Sequence, residues 1–176
     1  LLFWPVLYKP VPGAFFNPFQ SGPRDLYRSS FITRRQQEIE DRFRLLQARH
    51  QNPEAECYKT AILKCYQDKQ GIRCSLIHWP AISEQLLELS LDLVPANHLE
   101  ALFRHLLLDL RHHRKGLPDL VVFNPKQRSY RFVEVKAPND RLQDHQRLWL
   151  EQMQRDGIPA EVLYVQWQDQ AESRSA

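Results

Sequence analysis

The sequence predicts an α/β domain with a mainly helical N-terminal part, and three observations predict it. Two apolar runs, residues 117–123 and 130–136, flank Asn124-Pro125-Lys126-Gln127-Arg128-Ser129, whose turn chemistry reads as a hairpin. A segment with helical apolar spacing follows, and then a strand-like run from Glu161 to Trp167. Upstream, apolar residues recur at helical spacing over most of the chain. The order strand, strand, helix, strand makes a compact α/β unit whose polar groups gather at one end.

The elements can be taken in chain order. Residues 1–28 hold Trp4, Pro5, Tyr8, Pro10, Pro12, Phe15, Phe16, Pro18, Phe19 and Pro23, too many prolines for one helix. They are expected to wrap the core in extended and turn conformations rather than to stack on DNA. Residues 33–48 read as a helix capped by Thr33, with Arg34, Arg35, Arg42 and Arg44 on a charged, solvent-facing surface. Pro53 suits a first helical turn, giving a helix to about Lys69 that ends at Gly71. Residues 76–79 form a short connector, and Ser83 caps a helix over 84–91. Pro95 opens a helix from 96 to about 112, where Leu99, Leu102, Phe103, Leu106, Leu107 and Leu110 make a core stripe. Beyond the hairpin, Asn139 or Asp140 caps a helix carrying Leu142, Trp149 and Met153, and Gly157 stops it.

Composition excludes several classes of function. The chain of 176 residues is 43% hydrophobic, which is ordinary for a globular domain with a sizeable core. It has no apolar stretch that approaches a membrane span and no Gly-rich phosphate loop for a nucleoside triphosphate, and no secretory signal is read at Leu1, a start that reads as artificial. Cys57, Cys65 and Cys74 lack a metal-ligand spacing and leave one thiol unpaired, so reduced thiols in an intracellular protein are expected. His112 and His113 are adjacent and diverge on a helix, so they do not suggest zinc; with Arg114 they are expected to line a DNA path or face water. The net charge of +3 is modest, but residues 111–147 hold nine Lys/Arg against four Asp/Glu, a surface suited to phosphate backbones.

The chemistry concentrates in the hairpin. Strand alternation puts Glu134 and Lys136 on one face with Tyr130 and Phe132, and Val133 and Val135 on the other. Antiparallel pairing brings Asp119, at the start of the first strand, beside Glu134 at the end of the second. Two carboxylates and an ammonium then converge. Asp119 and Glu134 offer oxygen ligands for Mg²⁺ or Mn²⁺, and the Val135 carbonyl is a further oxygen. Lys136 is placed to orient or help activate the attacking water and to offset charge developing on a phosphate. Arg141, His145 and Gln146 lie near the start of the next helix, whose amides also favour phosphate. Glu-x-Lys alone is commonly a surface pair and Pro-Asp alone is usually a turn; the combination suggests phosphodiester hydrolysis.

Residues 111–165 resemble the VRR-NUC module of the PD-(D/E)xK nuclease superfamily. The run RHHRKGLPDLVVFNPKQRSYRFVEVKAPNDRLQDHQRLWLEQMQRDGIPAEVLYV is most similar to the Fanconi-associated nuclease family, and LLFWPVLY and SSFITRRQQEIEDRF extend the likeness over most of the chain. The resemblance implies a restriction-endonuclease-like mixed sheet flanked by helices. Residues 1–110 would be its Pro/aromatic-rich and helical part, 111–170 the catalytic core and 171–176 a flexible tail. It implies 5′-flap endonuclease and 5′-to-3′ exonuclease activity on branched DNA, dependent on Mg²⁺ or Mn²⁺, in interstrand-crosslink repair. Its metal ligands fall on Asp119 and Glu134, its lysine on Lys136 and its helix glutamine on Gln146. Arg114, Lys115, Arg141 and His145 are expected to contact DNA. The family's first-helix glutamate and its DNA-binding and helical-repeat regions are expected upstream of Leu1, with Glu38, Glu40 and Glu100 as possible substitutes for that glutamate. The setting is bacterial cytoplasm (nucleoid) or eukaryotic nucleus, with compact loops favouring the bacterial one, and protein partners are open. A nucleic-acid-binding module of the same fold that does not cleave is the alternative. A helical domain with an accidental acidic pair is a third reading.

Overall fold

The protein is described by a computed structural model over residues 1–48 and 57–166. The helix start predicted at Pro53, the strand end at Trp167 and the tail 171–176 lie outside the described residues. The chain divides into two compact units, Leu1–Arg114 with Phe123–Ser129, and Lys115–Val122 with Tyr130–Ala176.

The first unit is helical. It contains α1 (Trp4–Leu7), α2 (Ser30–Thr33), α3 (Gln36–Gln47), α4 (Tyr58–Lys69), α5 (Glu84–Leu93), α6 (Ala96–Leu108) and α7 (Leu110–His113). Its core gathers Leu2, Val6, Phe31, Ile39, Phe43, Leu46 and Ile62. Two of the predicted boundaries hold for the reasons given. Ser83 Oγ accepts the Leu86 N–H at 3.1 Å at the start of α5, and Gly71 takes φ +81° after α4. Cys57, Cys65 and Cys74 are free, and Cys74 is buried.

Four expectations are corrected here. Thr33 is not a cap: it ends α2, and its Oγ1 reaches the Ser29 carbonyl, while α3 starts at Gln36. Arg35 is not on a charged surface but fully buried. Its guanidinium grips Asp25 at 2.9 and 3.2 Å and lies 4.4 Å from the Phe31 ring centroid. Such a buried charge is tolerable only when paired. The helix predicted from 96 to 112 breaks at Asp109, whose Oδ1 accepts the N–H groups of Arg111 and His112 at 3.0 and 3.1 Å and so starts α7. Its stripe also lacks full burial, for Leu99, Phe103, Leu107 and Leu110 pack on the core only partly buried. Finally, residues 1–28 do wrap the core through Leu2, Trp4, Val6 and Leu7, but Phe16 and Phe19 stand 65% and 84% exposed.

In the sheet, β1 (Leu120–Asn124), β2 (Ser129–Lys136) and β3 (Ala160–Tyr164) lie in the order β1-β2-β3. Asn124 Oδ1 accepts the Gln127 N–H at 3.1 Å and Arg128 turns through φ +48°, closing the predicted hairpin. The connection is too short for anything but antiparallel pairing. From β2 the chain crosses through α8 (Asp144–Arg155) to β3, which runs parallel to β2 with Glu134 opposite Val162 and Lys136 opposite Tyr164. Trp149 and Met153 of α8 are buried, as are Tyr130, Val133 and Ile158. Gly157, at φ +69°, lets the chain turn back into β3.

The start of α8 also differs from expectation. Asn139 takes φ +72° and Asp140 Oδ2 accepts the Ala137 N–H at 3.3 Å, so these residues build a turn. Leu142 therefore precedes the helix, and Gln143 occupies its cap position.

Burial pushes the Tyr130 phenol up to about 12. The unfolded phenol ionises near 10, so the raised value stabilises the fold fully below about pH 10. That contribution disappears as pH rises from about 10 through about 12. Tyr130→Phe is expected to flatten the fall of Tm with pH in that window. An unchanged slope in thermal melts would contradict this assignment.

Candidate active site

The site lies within the second unit and begins with a glycine. Gly116 has φ +85°, and a Cβ there would fall 2.5 Å from the His145 carbonyl oxygen. The loop Gly116-Leu117-Pro118-Asp119 is therefore laid against the first turn of α8, and only glycine permits that approach. Asp119 follows just before β1, and its Oδ2 accepts the Val135 N–H at 2.9 Å. The hairpin thus brings Asp119 across to the end of β2, as alternation and antiparallel pairing require.

Glu134 and Lys136 share the same strand face and are buried, at 1% and 6% exposure. Lys136 Nζ lies 2.8 Å from Glu134 Oε1 and donates to Gln146 Oε1 at 2.8 Å. The Gln146 side-chain amide completes the triangle by donating to Glu134 Oε1. Gln146 Oε1 also accepts the Gln143 N–H at 3.0 Å. One side chain therefore ties the start of α8 to both charged residues. The Lys136 ammonium titrates above its ordinary value. Its hydrogen bond to Glu134 is the largest cause, and the fields of Glu134, Asp140 and Asp119 add to it against desolvation.

Glu134 Oε2 is left without a hydrogen-bond partner although it is buried. A buried carboxylate oxygen in that state is costly in free energy. Its unused lone pairs, with Asp119 nearby through Val135, make an all-oxygen donor set that fits a hard divalent cation. Among the described residues no group of three His, Cys, Asp or Glu side chains is arranged to hold a metal. The two carboxylates would therefore supply part of a shell that water and a phosphate oxygen complete.

The remaining predicted site residues are spread more widely. Val135 contributes its N–H to Asp119. His145 sits in the first turn of α8 with its backbone against Gly116. Lys115 and Arg141 are exposed, and Arg141 precedes the helix instead of lying on it. Arg114 belongs to the first unit, with its guanidinium 4.7 Å from the Tyr27 ring centroid and Nη1 donating to the Tyr27 hydroxyl at 3.3 Å. Glu38 pairs with Lys9, and Glu40 and Glu100 both pair with Arg104. His112 binds Asp109 at 2.7 Å, and His113 stacks on His105 with ring centroids 4.3 Å apart.

Two contributors escaped sequence reasoning. Asp140 adds to the field on Lys136, where its residue type and position suggest only a helix cap. Gly116 stands just ahead of the first apolar run, and the sequence assigns it no role. A glycine just before Pro-Asp was the available signal, but the chain it must accommodate lies in a later helix.

The VRR-NUC domain family matches residues 54–167 of this chain. The Fanconi-associated nuclease 1 homolog of Pseudomonas aeruginosa is 44% identical over 167 residues, covering 95% of this chain and 29% of that protein. Human Fanconi-associated nuclease 1 is 37% identical over 169 residues, covering 94% of this chain and 16% of its own length. A crystal structure of paFAN1 bound to 2nt 5′ flap DNA with a gap superposes with a TM-score of 0.86 at 41% identity, covering 96% of this chain and 30% of that one. The chain spans less than a third of the length of these relatives.

Proposed function

The chain belongs to the VRR-NUC domain family, and from that premise we propose that it carries the active site of a structure-specific, metal-dependent DNA nuclease. The substrate is DNA with a 5′ flap, cut endonucleolytically and trimmed 5′ to 3′, in the repair of interstrand crosslinks. Support for DNA as substrate comes from the bound flap in the related structure, and support for repair from the Fanconi-associated relatives. The observation that carries the reading is the unpartnered, buried Glu134 Oε2 beside Asp119 and the Lys136 ammonium.

Asp119 and Glu134 would hold Mg²⁺ or Mn²⁺, which when bound supplies a more acidic water and neutralises phosphate charge. Lys136, held protonated by its neighbours, is suited to stabilise charge growing on the phosphate oxygens rather than to take a proton. Gln146 positions both Glu134 and Lys136. Lys115, Arg141 and His145 would contact the DNA backbone, and Arg114 is a further candidate contact. DNA-binding and helical-repeat regions of the same protein would choose the branch; the relatives are longer than this chain and leave room for them. The protein would act at the nucleoid in a bacterium or in the nucleus of a eukaryote. No helix among the described residues is long and apolar enough to cross a membrane.

A metal series on the full-length protein tests this. Cleavage of end-labelled 5′-flap DNA is expected with Mg²⁺ and Mn²⁺, to be lost in chelator, and to exceed cleavage of blunt duplex. DNA binding without cleavage in any divalent ion would replace the nuclease with a binding module.

A further inference from the structure

Residues 14–24 of the first unit form a surface loop that the proposed chemistry does not use. Phe16 and Phe19 are 65% and 84% exposed, so two phenyl rings are left in water. A phenyl ring stabilises a fold by being buried, so the fold gains little from these two as they stand. The loop is nevertheless built. Gln20 Oε1 accepts the N–H groups of Phe16 and Asn17, and Gln20 Nε2 donates to the carbonyls of Ala14 and Gly22, each at 3.3 Å. Asn17 Oδ1 accepts the Phe19 N–H at 2.9 Å. Pro18 and Pro23 stiffen the loop further. Both rings are therefore presented from a fixed backbone.

The charge around them is one-sided. Residues 1–35 hold five Lys/Arg and a single acid, Asp25. Asp25 is buried and already paired with Arg34 and Arg35, and Lys9 is paired with Glu38. Arg24 lies 4.8 Å from the Phe16 ring centroid, and Arg28 is exposed. Exposed phenyl rings on a hydrogen-bonded loop, with the Arg24 guanidinium over one face of Phe16, fit a ligand that combines flat π-surfaces with anionic links. Single-stranded nucleic acid has both, and stacking on aromatic side chains tolerates any base.

We propose that Phe16 and Phe19, with Arg24, form a platform on which unpaired bases of the DNA substrate stack. This rests on the reading of the protein as a DNA-processing enzyme, but not on the metal site. It supplies a preference for unpaired strand that the Asp119–Glu134–Lys136 cluster does not provide.

The test uses the full-length protein and oligonucleotides with 2-aminopurine at an unpaired position. The Phe16→Ala/Phe19→Ala variant is expected to lose most of the fluorescence quenching and to bind single-stranded DNA about 5- to 150-fold more weakly. Blunt-duplex affinity and Tm should stay near wild type, because the rings are exposed. Phe16→Leu/Phe19→Leu should fail to restore binding, since leucine keeps apolar area but has no π-face. Unchanged single-strand affinity in the alanine variant would overturn the proposal. Rescue by leucine would also overturn it and assign the patch to an apolar protein partner. A wild-type protein that cleaves DNA while the alanine variant is indistinguishable loses the platform and keeps the nuclease. Quenching that depends on the rings, without cleavage in any divalent ion, keeps the platform and loses the nuclease. A wild type that neither binds nor cleaves DNA overturns both.

Discussion

Glu134→Gln is expected to lower the rate of DNA cleavage by about 100-fold or more, with DNA affinity nearly unchanged. The substitution keeps the shape of the side chain and its reach to Lys136 and Gln146. It replaces the buried carboxylate, whose Oε2 has no protein partner, with a neutral amide. In the wild-type protein that oxygen is the group a divalent cation would satisfy. Adding Mn²⁺ should therefore raise Tm by mass action on the folded state. The same addition should leave the Tm of Glu134→Gln unmoved. A variant whose Tm still responds fully to Mn²⁺ would show that the cation binds elsewhere.

Gly116→Ala should have the second largest effect, and for a different reason. An added Cβ meets the His145 backbone at 2.5 and 2.7 Å and its ring carbon at 2.7 Å. Backbone cannot swing aside as a flexible side chain can, so the loop and α8 must separate. That loop carries Asp119, and α8 carries Gln146, so the displacement reaches both sides of the cluster. Misplacement of about 1 Å is enough to cost about 100-fold in rate. Gly157 provides the control. It too has positive φ, at +69°, but a Cβ there meets nothing within 4 Å. Gly157→Ala should show only backbone strain, about 1–2 kcal/mol, with cleavage at saturating DNA retained. Equal losses of activity in the two variants would sink the close-approach argument.

The hairpin and its acidic ends were legible because strand alternation and turn residues are local signals. Tyr130 and Glu134 share a face with Lys136 by period alone, and Asn124 closes the turn with its own side chain. The start of α8 was less legible. Asn139 and Asp140 are good capping residues, yet they are used in a turn, and the cap position falls on Gln143. Its N–H is held by Gln146, the residue that also holds Lys136, so helix start and candidate site share one side chain.

The helical unit was misread where partners come from distant residues or from a competing local bond. Arg35 looks like a surface charge until Asp25 and the Phe31 ring enclose it. The stripe through Leu110 looks continuous, but the Asp109 side chain binds the amides ahead of it and starts a new helix. Phe16 and Phe19 are the converse case. Their composition suggests burial, and a hydrogen-bonded loop holds them out in water.

The most direct test of the central claim compares wild-type and Asp119→Ala full-length protein on end-labelled 5′-flap DNA in Mn²⁺, measuring cleavage rate and DNA affinity side by side. Asp119→Ala is expected to lower the rate by about 100-fold or more while affinity stays within a few fold. Cleavage that survives the substitution would contradict the assignment of the metal site to Asp119 and Glu134.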